Sequence, residues 1–351
     1  MQMYQTRLIV LPIAIAFTLL SISTSYGQST SEAVAYMDGI TLEYKELKTE
    51  TWQYLKSIMK GKNARKVENR RKDLVVAMRT AKAAVSRKRP FQQDATFKEA
   101  MINYMDINLK LLNEDFEEIV DMEEIAEQSY DNMEAYLLAK EKANEKFDEA
   151  SDLVNEAQKT FAAKHNITIL EAEGDKTTNR IEKASKVLSY YNDLYLIFFK
   201  SYKQDMYVLA AMEEGNVLGI EQNMGTLALF SEEGIASLEE IEAFDGDKSL
   251  VTSTQTFLTY MKKQADEYYP KFVDFYLKKD NMEKIKKIVE SKSKKERTKE
   301  DIDKYNKAVK DFNAAVADYN DVINTSNKER SKAINEWNKM ADGFFSKHSK
   351  G

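Results

Sequence analysis

Apolar residues recur at helical spacing along almost the whole chain, in alternating steps of three and four. The cleanest run lies near the C-terminus: Ile302, Tyr305, Val309, Phe312, Val316, Tyr319, Ile323, Ser326, Arg330, Ala333, Trp337, Met340 and Phe344. Six heptads kept in phase predict one straight helix of about 65 Å at about 1.5 Å per residue. A second stripe runs from Met133 through Phe147, Ala150, Val154 and Ala157 to Phe161, with Ala at alternate core positions so that helices can approach closely. A third runs from Ile102 through Met105, Leu109, Leu112, Phe116, Ile119 and Glu123 to Ala126.

The same period predicts four helices over residues 31–60, 63–88, 94–127 and 130–165, then four more over 178–214, 216–244, 248–288 and 299–347. Breaks fall at Gly61, Arg89-Pro90, Gly215 and Asp245-Gly246-Asp247. Glu173-Gly174-Asp175 is the expected join, with Thr177 or Thr178 capping the next helix. Pro270 should kink the seventh helix or end it at Tyr269, because it removes one backbone donor and crowds the preceding turn. Glu114 stands at the matching place in the first half, so the two halves should differ there.

The two sets of helices match each other. At an offset of 154, Tyr36, Ile40, Tyr44, Trp52 and Gly61 meet Tyr190, Leu194, Phe198, Met206 and Gly215. The third stripe finds a partner 156 residues on, in Leu258, Met261, Ala265, Tyr268 and Phe272. Both halves end in Phe-x-x-Lys-His, Phe161–His165 and Phe344–His348, at an offset of 183, so the second half has gained 27 residues. Lys278–Lys299, almost free of large apolar residues after Ile288, is the expected place for most of them and reads as a mobile charged tip. The chain thus reads as all-α, a tandem duplication of two four-helix bundles with long antiparallel coiled-coil-like helices. The expected divisions are residues 1–27, 28–172 and 173–351.

Composition narrows the chemistry. Only 3 Pro and 11 Gly in 351 residues make turns scarce, which disfavours all-β and α/β folds. The absence of Cys removes disulfides, thiolate zinc sites, iron–sulfur clusters and thiol catalysis. A net charge of −6 argues against a dedicated nucleic-acid binder. At the N-terminus, Arg7 precedes a 13-residue apolar run, Leu8–Leu20, and Ser25 and Gly27 fit the small-residue pattern of a cleavage site. Thirteen helical residues cover about 20 Å, short of a bilayer core, so the run reads as an export signal rather than an anchor. The product is expected in the periplasm, on the cell surface or outside the cell, with no transmembrane anchor once the signal is cleaved.

Catalytic motifs are lacking. Gly215, Gly219 and Gly225 do not make a phosphate loop, no nucleophile elbow is present, and Glu-x-x-His spacing is absent. His165 and His348 read as cations at helix C-termini, where they favour the negative end of the dipole. Asp245-Gly246-Asp247 reads as a turn, since two rules of a calcium loop fail there. Glu123 is the clearest acid on a core stripe. No catalytic residue, cofactor or metal site is assigned.

Two candidate surfaces remain. Residues 60–89 hold 12 basic and 2 acidic residues, and 114–156 hold 16 acidic and 3 basic. The internal reading pairs a basic second helix with acidic third and fourth helices. The external one gives Arg65, Arg70, Arg71, Lys72, Arg87, Lys88 and Arg89 to another envelope protein or an anionic envelope polymer. Aromatics crowd Tyr190–Tyr207, where Tyr195, Phe199 and Tyr202 exceed one seam and would meet the other bundle, a dimer partner or a ligand. In signal, helicity and composition the chain resembles, as a type, uncharacterised helical surface proteins exported by Gram-negative bacteria. The resemblance implies no functional residues. The expected role is non-enzymatic, an interaction or scaffold module at the envelope, with a small-molecule carrier or sensor near the Tyr190–Tyr207 aromatics as the alternative.

Overall fold

The computed structural model describes residues 21–22, 28–60, 64–115, 126–170 and 176–349. The expected signal at 1–20 and 23–27, Gly61, Glu123 and the join at 173–175 lie outside them. The described chain is helical: α1 (Gln28–Met59), α2 (Ala64–Arg87), α3 (Thr96–Lys110), α4 (Tyr130–Lys164), α5 (Lys176–Glu213), α6 (Val217–Glu239), α7 (Ser249–Lys263), α8 (Tyr269–Ser291) and α9 (Lys299–His348). Ser21–Ile22 and Ile169–Leu170 add a two-residue antiparallel strand pair. The residues divide into two compact units, one drawn from Met1–Asn192 and Asp342–Gly351, the other from Asp193–Ala341.

In the first unit α1 packs on α2, α2 on α3 and α3 on α4, with aromatic side chains in the core. Tyr44 meets Tyr104 edge-on at 5.9 Å, and Phe97 lies 6.3 Å from Phe161. In the second unit Phe198 is held between Trp337 at 4.0 Å and Phe257 at 4.2 Å, and the Trp337 indole donates to Thr254 Oγ1 at 3.0 Å.

Burial sharpens the register between the halves. The buried residues of α3 are Phe97, Met101, Tyr104, Met105 and Asn108, and those of α7 are Leu250, Thr254, Phe257, Leu258 and Met261. The two sets coincide at an offset of 153, not 156. A stripe with steps of three and four can slide by one step and still match apolar to apolar, so hydrophobicity alone misplaced it. In α2 and α6 the same 153 pairs buried Val67, Leu74, Met78, Ala81 and Val85 with Ile220, Leu227, Ser231, Gly234 and Leu238. In α1 and α5 the offset of 154 pairs buried Met37, Ile40, Tyr44, Thr51 and Tyr54 with Tyr191, Leu194, Phe198, Asp205 and Val208.

The turns correspond as well. Phe91 and Asp94 exchange backbone hydrogen bonds of 3.1 and 2.8 Å, as Phe244 and Asp247 do at 3.2 and 2.8 Å. Asp94 Oδ1 then accepts from the Thr96 amide at 3.0 Å, and Asp247 Oδ1 from the Ser249 amide at 2.9 Å, which starts α3 and α7. Both helices end in a five-residue π-helical turn, Leu111–Asp115 and Gln264–Tyr268.

At the offset of 153 the counterpart of Pro270 is position 117, which lies outside the described residues. Pro270 sits in the first turn of α8, directly after the π turn. The first half makes its π turn with no proline in 111–115, so Pro270 is not needed to make one. The segment 278–299 is helical through Ser291 rather than a loose tip. The connection that follows is tied by Lys292 to Asp301 at 2.7 Å and by reciprocal bonds between Thr298 and Asp301 of 2.9 and 3.1 Å, a capping box. Phe275 against Phe312 at 5.7 Å and Tyr319 at 4.4 Å zips α8 and α9 together.

Candidate functional site

Two stripe positions of α9, Ser326 and Arg330, interrupt an apolar seam, and both are buried. Opposite them α5 brings Asp205, whose side chain is 0 % exposed, onto Arg330 Nε. The Tyr269 hydroxyl donates to the other oxygen of Asp205, and Arg330 also lies 3.0 Å from Met206 Sδ. Around this pair Tyr260 donates to the Ser326 carbonyl at 2.9 Å, and Ser326 Oγ donates to Gln264 Oε1 at 2.7 Å. Gln264 opens the π turn and is fully buried, with its Nε2 lacking a hydrogen-bond partner. At the edge, Glu329 accepts from Tyr268 at 2.8 Å and Lys263 at 3.1 Å, and these bonds lower its pKa.

Burial and the Asp205 carboxylate push the Tyr269 and Tyr260 hydroxyls far above the ordinary tyrosine range, so both remain donors. Burial works against the Arg330 charge, but Asp205 outweighs it and the guanidinium is held more firmly protonated than usual. Asp205, Arg330 and Tyr269 satisfy one another, whereas Gln264 Nε2 is left without a partner.

The matched positions of the first unit carry none of this. Thr51 stands where Asp205 does, Phe147 where Arg330 does, Leu111 where Gln264 does, and Ile107 where Tyr260 does. Its buried cations include Lys48, which donates to Thr178 Oγ1 at 2.8 Å, and Arg71, one turn from its partner: Nε and Nη2 bond the two Glu68 oxygens at 2.8 Å each, and Nη1 bonds the Leu112 carbonyl in the π turn. The hydrogen bond from Arg71 lowers the Glu68 pKa, although burial opposes it.

The basic residues singled out above are distributed differently from one another. Arg71 is buried, Arg70 and Lys88 are half-buried, and Arg65, Lys72, Arg87 and Arg89 are exposed. The ion pairs seen along α2 reach Glu68 and Asp73 on the helix itself, Glu43 on α1 and Asp106 on α3; positions 116–125 of the acidic stretch lie outside the described residues. Of the aromatics, Tyr195 and Phe199 are buried and Tyr202 is half-buried. Tyr195 stacks on Phe199 at 5.7 Å and meets Trp337 at 5.9 Å, so it is spent inside the second unit.

His165 does more than end its helix. Its Nε2 lies 3.0 Å from Asp94 Oδ2, and its ring stands edge-on to Phe91 at 5.0 Å and 4.4 Å from Phe161. Lys164 Nζ reaches the same Asp94 oxygen at 3.0 Å. Burial raises the Asp94 pKa, but the bonds from Thr96, Lys164 and His165 outweigh it and hold the carboxyl well below the usual range. Among the described residues no group of three His, Asp or Glu is arranged to hold a metal ion, and no helix is long and apolar enough to cross a membrane.

Sequence reasoning missed the Asp205 centre, naming Glu123 as the core acid. The signal was present: Ser326 and Arg330 sit on the longest apolar stripe, and the 154 offset puts Asp205 on the buried face beside Thr51. Against this geometry, comparison with protein-family models, curated proteins and solved structures found no match.

Proposed function

We propose that the chain is an exported, non-enzymatic interaction module that works at the cell envelope through the outer faces of its helices. In this reading it arose by tandem duplication of one four-helix bundle, spanning 28–172 and 173–351 in the present chain. The duplication is supported by the shared buried register of α1 to α3 with α5 to α7, the paired Phe-x-x-Asp turns and the two π turns. Export rests on the Arg7–Gly27 sequence pattern.

One observation carries the functional reading, and it is how the polar groups are partitioned. Buried Asp205 is consumed by Arg330 of α9 and Tyr269 of α8, and buried Arg71 by half-buried Glu68 on its own helix and by the Leu112 carbonyl. The cations of α2 at Arg65, Lys72, Arg79 and Arg87 are exposed along one ridge. Charge on a rigid helix face recognises a surface of opposite sign, which suits an anionic envelope polymer or an acidic face of another envelope protein.

Native mass spectrometry of protein released gently from its own cells tests this. The expected species are the polypeptide cleaved before Gln28, alone or with other polypeptide chains. A stoichiometric small organic mass would overturn the reading and favour a carrier with its ligand near the Tyr190–Tyr207 aromatics.

A further inference from the structure

The helices α2 and α6 occupy matched places, yet their outer faces have opposite chemistry. Seven positions at steps of three and four are exposed on α2: Arg65, Asn69, Lys72, Val76, Arg79, Ala83 and Arg87. Their counterparts 153 residues on are Leu218, Gln222, Gly225, Leu229, Glu232, Ala236 and Glu240, and all seven are exposed too. The first ridge carries four cations and no acid, whereas α6 has four glutamates and no Lys or Arg from end to end. Each ridge has an apolar centre left in water, Val76 at 63 % exposure on one, Leu229 at 51 % and Leu218 at 63 % on the other. Ala83, Ala236 and Gly225 keep both ridges low, and a Cβ added at Gly225 would meet nothing within 4 Å.

We infer that the α2 ridge of one copy docks on the α6 ridge of a second copy, which rests on reading the outer helix faces as the working surfaces. The occupant follows from complementarity. Two α2 ridges repel, and two α6 ridges share a negative sign. One of each brings cations against Glu232 and Glu240 while covering Val76 and Leu229. None of Arg65, Arg79 or Arg87 has an ion-pair partner among the described residues, so docking would supply what the single chain leaves open. Glu232 does meet Lys262 at 2.7 Å, but that pair is exposed on both sides and exposed pairs exchange readily. The contact is heterologous, so it forms a closed ring when the rotation allows and an open chain otherwise.

Sedimentation velocity of the purified mature protein across a dilution series tests the pairing with two charge variants. Variant A reverses α2 (Arg65→Glu, Lys72→Glu, Arg79→Glu and Arg87→Glu together), and variant B reverses α6 (Glu232→Lys with Glu240→Lys). The wild type should associate, more weakly as salt is raised. Each variant alone should be monomeric, with a melting curve showing that it folds. Mixed in equal amounts, A and B should associate again, because each acidic ridge then meets a basic one whatever the helix direction. A wild type that stays monomeric at its highest soluble concentration overturns the pairing. So does a variant that still associates alone, or a mixture that does not recover. None of these results bears on the mass of the envelope-derived protein, so this pairing and the interaction reading fail separately.

Discussion

Asp205 and Arg330 in the second unit occupy the places of Thr51 and Phe147 in the first, and the surrounding backbone is built alike. The same π turn, the same five buried positions on the third helix and the same Asp-capped start appear with the ion pair and without it. The pair is therefore not what produces the fold. Taking two charges out of water costs several kcal/mol each, which their mutual attraction and the Tyr269 bond do little more than offset. Its consequence is selectivity: a shift of α9 past α5 would strand both charges, whereas the uncharged Thr51 and Phe147 at the matching positions strand none.

This comparison can be broken directly. Arg330→Met leaves Asp205 buried with one hydrogen-bond donor and should cost about 3–5 kcal/mol in urea unfolding. Asp205→Thr combined with Arg330→Phe, which copies the first unit into the second, should recover most of that loss. A double variant as unstable as Arg330→Met would show that the second unit depends on its ion pair.

The aromatic layers come next. Phe198 lies between Trp337 and Phe257, and Phe198→Ala should cost about 3–5 kcal/mol. Tyr44 and Tyr104 fill the matching layer of the first unit, but Val154 takes the place of Trp337. Trp337→Val should therefore hurt clearly, whereas Val154→Ala should cost less because fewer atoms are lost; thermal melts of both variants measure the ratio.

A smaller effect separates Gly234 from Ala81. A Cβ at Gly234 would lie 2.9 Å from Leu258 Cδ1 and 3.1 Å from Ile197 Cγ2. Gly234→Ala should thus cost about 1 kcal/mol, overpacking exceeding the gain in helix propensity. Met105 stands where Leu258 does and bends more easily, so adding Leu258→Met should return the lost stability. If Gly234→Ala is stabilising instead, the close crossing has slack.

Why the helices were legible and the polar centre was not follows from the kind of signal each leaves. Eight helices announce themselves because apolar spacing is repeated over many turns, and errors at single residues average out. The seventh helix, expected over 248–288, is helical from Ser249 to Ser291, but apolar spacing does not reveal the π turn inside it, because Ala265 stays buried within that turn as Leu112 does in the first half. Stripe matching could not choose between 153 and 156 because only burial distinguishes Met101 and Thr254 from their neighbours. Arg330 was visible as a polar residue on a core stripe, but its partner lies 125 positions away on another helix. Only the packing of α5 against α9 identifies Asp205 as that partner. The exposed ridges were half legible, since the cations of 60–89 stood out by count while the sorting of Arg71 inward and Arg79 outward needs the bundle.

The smallest effect concerns the paired turns before α3 and α7. Asp94 holds the Thr96 amide, Lys164 and His165, and its pKa is depressed by these bonds despite burial. A carboxyl whose folded pKa is lowered contributes stability that is complete above its unfolded value, near pH 4, and is lost as pH falls through the folded value. Asp94→Asn keeps an acceptor for the Thr96 amide and removes only the charge. It should cost little near neutral pH and flatten the acid side of the stability curve relative to wild type. Asp94→Ala removes the cap as well and should cost about 0.5–2 kcal/mol at neutral pH. Asp247→Ala removes the matching cap in the second unit and should cost a similar amount. An acid limb unchanged by Asp94→Asn would mean that Lys164 and His165 do not stabilise the charge, and that the two turns are held by their caps alone.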